Sequence, residues 1–200
     1  AWVARSESGA LYRADYLVVT APAPRAINLL ETTGLDYAGK SEAGLKNIRY
    51  SKGLATLAIL DGPSKLPDKG LIQLFQSPLA LIADNQVKGI SPEVHAVTIH
   101  ADADFAETHW DSVDEVRGPL MLEAAEPWLG NKVLEFNCHR WGFTTPLNPW
   151  NELHFTNPSI RLTLAGDSFG GARIEGAALS GLAAADAVAK LVKTSSRSSS

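Results

Sequence analysis

The segment Ile160-Arg161-Leu162-Thr163-Leu164-Ala165-Gly166-Asp167 restricts the architecture more than any other part of the sequence. Its apolar, partly β-branched run is the mark of a short buried strand. The run stops at Gly166-Asp167, which sets a carboxylate at the strand's carboxyl end, and Gly170-Gly171 then lets the backbone turn tightly or approach a ligand closely. In open α/β sheets, ligands bind at that edge. A helix is expected from Glu175 to about Val192, with Ala178, Leu182, Ala185, Ala189 and Val192 forming one apolar stripe. The start of such a helix carries free N–H groups and about half a unit of positive charge, so it favours an electron-rich oxygen or an anion. Gly176, Ala177 and Gly181 bring little side-chain bulk and leave space for a flat group. The last residues, 194–200, are nearly all serine and read as a disordered tail.

The amino-terminal end shows a second step of the same kind. Asp15-Tyr16-Leu17-Val18-Val19-Thr20 reads as another buried strand, and Ala21-Pro22-Ala23-Pro24 interrupts it because proline cannot donate to a ladder. A helix over Arg25 to Glu31 follows, with Gly34 just past its end. Ahead of these, Trp2-Val3-Ala4-Arg5 and Ala10-Leu11-Tyr12 flank Ser6-Glu7-Ser8-Gly9, the pattern of a hairpin in which Gly9 supplies a positive φ. A sequence that opens within a hairpin, on Ala1, with Met121 its sole methionine, is expected to be the carboxyl-terminal part of a longer chain.

The middle changes character. Strands are expected over 54–60, 71–75, 79–83, 94–100 and 133–141, with short links that favour an antiparallel sheet. Ser112-Val113-Asp114-Glu115 has the form of a capping box and predicts a helix to about Trp128, stopped by Gly130. Pro119 and Pro127 predict a kink or two shorter helices there. Pro146 to Pro158 reads as proline-rich loop. Two α/β ends around an antiparallel middle make one domain, residues 45–150, inserted into another formed by 1–31 and 160–193.

Composition narrows the function. With 45% hydrophobic and 20% charged residues the chain can bury a real core. The net charge of -4, with no clustering of Lys and Arg, excludes a basic nucleic-acid footprint. No apolar run approaches the ~20 residues of a membrane helix. A single cysteine, Cys138, excludes an internal disulfide or a cysteine-based zinc cluster and fits a reducing, cytoplasmic setting. His95, His100 and His109 lack metal-ligand spacing, and Ser168 lacks a Gly-x-Ser-x-Gly setting. His139, Trp141 and Phe143 are candidate pocket residues, with a plain structural place as the alternative.

The full string Leu164 to Gly181 resembles the carboxyl-terminal flavin motif of FAD-dependent amine oxidases, most of all the renalase-like oxidoreductases. Ala14-Asp15-Tyr16-Leu17-Val18-Val19-Thr20-Ala21-Pro22 is similar to the strand that returns from that family's β-hairpin. His139-Arg140-Trp141-Gly142-Phe143-Thr144-Thr145-Pro146 is similar to the segment before its last flavin strand. The resemblance implies an α/β fold, with an α+β substrate domain set in an FAD/NAD(P)-binding Rossmann-like domain. It implies non-covalent FAD at Gly166, Asp167, Arg173, Ile174, Glu175 and Gly176. Asp167 would bind a ribityl hydroxyl, and the N–H groups of Ile174, Glu175 and Gly176 would face the pyrimidine edge of the ring. The implied partners are a small-molecule substrate and O2: a dihydronicotinamide isomer or an amine gives a hydride to flavin N5, and hydrogen peroxide forms. The Gly-x-Gly-x-x-Gly fingerprint that holds the ADP pyrophosphate is missing from these residues, so alone they are expected to bind FAD poorly. A conventional amine oxidase and a flavin-free scaffold or interaction module are the other two readings.

Overall fold

The structure, a computed structural model, describes residues 1–197, with the side chains of Gln76 and residues 194–197 not described. Along the chain run β1 (Trp2–Arg5), β2 (Leu11–Ala14), β3 (Leu17–Val19), α1 (Ala23–Glu31) and α2 (Glu42–Lys46). Next come β4 (Gly53–Leu60), β5 (Leu71–Gln76), β6 (Leu79–Asp84), β7 (Ala96–Ala101), α3 (Ala103–Thr108), α4 (Asp114–Leu129) and β8 (Val133–Trp141). The chain continues through β9 (Phe155–Asn157), β10 (Leu162–Leu164), α5 (Asp167–Gly170) and α6 (Ile174–Arg197). It divides into two compact units: one is residues 1–50 together with the chain from Thr145 onward, the other Ser51–Thr144.

In the first unit β10 is the centre of a three-stranded sheet ordered β3-β10-β9. Thr163 lies opposite Val18 in a parallel pair and opposite Thr156 in an antiparallel one. Leu162, Thr163 and Leu164 are all buried, as the apolar run requires. Their core partners are Ile27 and Leu30 of α1, Leu45 of α2, and Ile48, Phe155 and Phe169. The run at 15–20 behaves differently from the buried strand it suggests. β3 lies at the sheet edge and Val18 is exposed, while Val19 is buried. The stretch Pro146–Pro158 is not all loop, because Phe155–Asn157 pairs with β10. Three residues carry no readable period, so only the partner strand reveals them.

The long helix corrects the expected stripe. Leu182 is 67% exposed and Val192 52%, whereas Gly176, Ser180 and Ala184 are buried and Val188 and Leu191 partly so. The helix therefore sits on the sheet through a face of small residues, since close backbone approach packs the turn after β10 more tightly than leucine would allow. Its backbone also runs on through residues 194–197, part of the expected tail; serine costs a helix only a few tenths of a kcal/mol per residue. Residues 198–200 lie outside the described residues.

The second unit is a five-stranded antiparallel sheet ordered β5-β6-β7-β4-β8. One face packs Leu54, Ala58, Leu60, Ile82, Val97 and Ile99 against Phe105 of α3 and Met121, Ala125 and Leu129 of α4. A short helix, α3, follows β7; Asp102 caps it, accepting from Phe105 N at 2.7 Å. The capping box at Ser112 does not form, because the helix starts one residue later with Val113 as N-cap and no side-chain cap bond. Instead Arg117 folds back on Asp114 and donates to Trp110 O at 3.0 Å. α4 also passes unbroken through Pro119 and Pro127. Both prolines are exposed, as are Glu115 and Glu123, so the carbonyls they leave unbonded are within reach of water. On the opposite sheet face Leu57, Leu71 and Trp141 are exposed, while Ala55 and Ala83 are buried.

The burial of α6 yields a direct test in this chain. Leu182→Gln should shift unfolding free energy by less than about 0.5 kcal/mol. Ala184→Leu, 2% exposed in the wild type, should cost about 1–3 kcal/mol by overpacking. Urea titration of the two variants measures both.

Candidate functional site

The turn after β10 is built around glycines that have no room for a side chain. Ala165 N donates to Val19 O at 3.1 Å, continuing the parallel ladder by one bond. Gly166 has φ +132, which glycine alone adopts readily, and its N–H donates to Ser180 Oγ of α6 at 2.8 Å. A Cβ on Gly170 would lie 1.8 Å from Gly176 O, and one on Gly176 would lie 2.4 Å from the carbonyl oxygens of Gly170 and Gly171. The two glycines thus interlock backbone on backbone, pressing the turn onto the first turn of α6. The small size of Gly176 is used for that contact rather than to admit a flat ligand.

The outer side of the same turn is open. Nothing lies within 4 Å of where a Cβ on Gly171 or Gly181 would be. Arg173 and Glu175 are exposed and Ile174 is 92% exposed. The first intrahelical bond of α6 runs from Ala177 N to Arg173 O at 3.0 Å, so the N–H groups of Ile174, Glu175 and Gly176 precede the helical ladder. Ile174 and Glu175 are exposed at this helix start while Gly176 is buried, and a helix start favours electron-rich oxygen.

Asp167 opens α5 and is half-buried. Tyr50 Oη donates to Asp167 Oδ1 at 2.6 Å. The same hydroxyl is hydrogen-bonded to Ser168 Oγ, which accepts from Ala23 N of α1 at 3.4 Å. Ser168 O in turn accepts from Trp150 N at 2.7 Å. Burial, and then the hydrogen bond to Asp167, push the Tyr50 phenol up to about 12. Tyr50 carries no signal in the sequence that marks it as part of this site. It stands 117 positions from Asp167, and no spacing signal joins them.

In the second unit His139 and Trp141 share one face of β8, with ring centroids 4.3 Å apart at 63°. Register sets Trp141 opposite Gly53 and His139 opposite Ala55. Ala55 is flanked on its other side by His100 of β7. Burial lowers the pKa of His100, and Lys88 adds to the effect. Phe143 is half-buried beyond the end of β8. The cofactor candidates thus belong to one unit and the pocket candidates to the other.

No family model and no curated protein matches the sequence. Solved structures do match. A candidate protoporphyrinogen oxidase from Exiguobacterium sp. 255-15 aligns over 94% of this chain and 46% of its own, with TM-score 0.63 at 13% identity. An oxidoreductase from Methanosarcina mazei aligns over 92% and 47%, with TM-score 0.59 at 15% identity. A reduced UDP-galactopyranose mutase aligns over 72% and 32%, with TM-score 0.50 at 18% identity. The chain shares their fold. It spans less than half the length of each. Among the described residues no helix is long and apolar enough to cross a membrane.

The raised ionisation of Tyr50 has a sign that can be checked. Its folded value, about 12, lies above the ordinary phenol value of about 10. The stability it contributes is complete below about pH 10 and is lost as pH rises towards 12. The stability difference between wild type and Tyr50→Phe should therefore hold from pH 7 to 10 and shrink between pH 10 and 12, read by urea unfolding at each pH.

Proposed function

We propose that this chain is part of an FAD-dependent oxidoreductase and carries the flavin-ring end of its cofactor site. The observation that carries this reading is the uncovered turn at the carboxyl end of β10. The outer sides of Gly171 and Gly181 are clear, and the N–H groups at the start of α6 lie outside its ladder. Asp167 Oδ2 has no hydrogen-bond partner among the described residues. A flat ring with a hydroxylated chain fits such a place better than a compact anion, which a carboxylate would repel. Gly166 and Arg173 fix the backbone on either side of the turn. Asp167 accepts from a ribityl hydroxyl, and the amides of Ile174, Glu175 and Gly176 point positive dipole at the electron-rich edge of the ring. The bound cofactor supplies hydride acceptance and reoxidation by O2, with hydrogen peroxide as product. Two of the fold relatives bear oxidase or oxidoreductase names and the third was determined in reduced form, which supports a redox role.

The finer reading is renalase-like: a dihydronicotinamide isomer as substrate, with a simple amine as the alternative. His139, Trp141 and Phe143 would line the substrate side. The ADP-binding fingerprint would come from sequence outside these 200 residues, since no Gly-x-Gly-x-x-Gly occurs within them.

In the complete protein, Asp167→Ala should keep the fold and weaken FAD binding about 10- to 100-fold, the loss of one charge-assisted hydrogen bond. Flavin fluorescence titration measures it, and unchanged affinity would count against the assignment. Peroxide release from dihydronicotinamide isomers but not from amines would separate the renalase-like substrate from the amine.

A further inference from the structure

Four groups of the first unit lie in one hydrogen-bonded series: Ala23 N, Ser168 Oγ, Tyr50 Oη and Asp167 Oδ1. Counting protons fixes its direction. A carboxylate has no proton to give, so Tyr50 spends its only hydroxyl proton on Asp167. The bond between Tyr50 and Ser168 must then use the Ser168 proton, with Tyr50 Oη as acceptor. Ser168 Oγ receives the N–H of Ala23, the first residue of α1. The series therefore runs one way, from the positive end of a helix through two hydroxyls to the carboxylate. Ser168 is buried and Tyr50 half-buried, so water competes poorly for the inner links.

We propose that Tyr50 and Ser168 are positioning residues that hold the Asp167 carboxylate in place with Oδ1 engaged, reserving Oδ2 for a hydroxyl donor on a polyol chain. This rests on the flavin reading and sharpens it. The relay makes the turn select a neutral hydroxylated chain, because an Oδ2 held as pure acceptor rewards a hydroxyl and rejects phosphate. The ring itself is left to the amides of α6. Tyr50 touches neither the ring nor any reacting atom; it acts through Asp167.

The test uses the complete protein with three flavins: FAD, riboflavin, and lumiflavin, which lacks the hydroxylated chain. Tyr50→Phe should weaken FAD and riboflavin roughly fivefold to twentyfold and leave lumiflavin unchanged. Ser168→Ala, which removes a different link, should shift the same two ligands in the same direction. A Tyr50→Phe variant that binds riboflavin as the wild type does overturns the proposal. So does equal weakening of all three flavins, which would mean the loop as a whole has moved. A ligand-free readout stands beside these. The absorbance of Tyr50 phenolate, identified by its loss in Tyr50→Phe, should appear at lower pH in Asp167→Asn and at higher pH in Ser168→Ala. Shifts of the same sign, or none, overturn the one-way relay. If the wild type binds no flavin, the cofactor reading falls, and with it the polyol role of Oδ2. The opposed titration shifts would still decide the relay.

Discussion

The contact between Gly170 and Gly176 is the constraint on which the first unit depends. With a Cβ position only 1.8 Å from a carbonyl oxygen, the turn after β10 and the first turn of α6 touch through backbone alone. Two rigid elements meeting without side chains leave little freedom to adjust, so the position of Asp167 follows from that of the strand before it. The buried Ser180, taking the Gly166 N–H, closes the same junction from the helix side. The N–H groups of Ile174, Glu175 and Gly176 stay outside the helical ladder, which begins at Ala177.

Holding a carboxylate in such a turn needs partners from elsewhere in the chain. The direct partner is Tyr50, at the end of the amino-terminal part, and Ala23, at the start of α1, reaches it only through Ser168. The two connecting segments run side by side at this point, since Tyr50 bridges to Pro146 and Leu147 N donates to Arg49 O at 2.8 Å. The chain's departure from and return to the first unit are thus fastened close to the residue that steers Asp167.

Much of this was legible in the sequence where local chemistry decides structure. The buried run before Gly166, the hairpin at Gly9, the helix before Gly34 and the long strand ending at Trp141 all rest on short-range rules. What was not legible depends on partners. The apolar residues of α6 gave a regular stripe, yet the sheet chose the opposite, smaller face because backbone proximity outweighed side-chain area. The Ser112 box yielded to Arg117, whose longer reach closes the first turn of α4 from within. Prolines in α4 broke nothing, since they sit on its wet side. Of the candidate site, Asp167 and the amides after it are what the motif suggests, while Tyr50 belongs to a long-range pairing that one sequence does not display.

The exposed apolar residues of the five-stranded sheet bear on how this protein must be handled. Leu57, Leu71 and Trp141 are exposed on one face, and among the described residues β8 is an edge strand. Edges of this kind recruit strands from other molecules unless charge interrupts them, and only Glu135 and Arg140 on β8 do so. Residues 51–144 cut out on their own would consequently tend to precipitate, however sound their core.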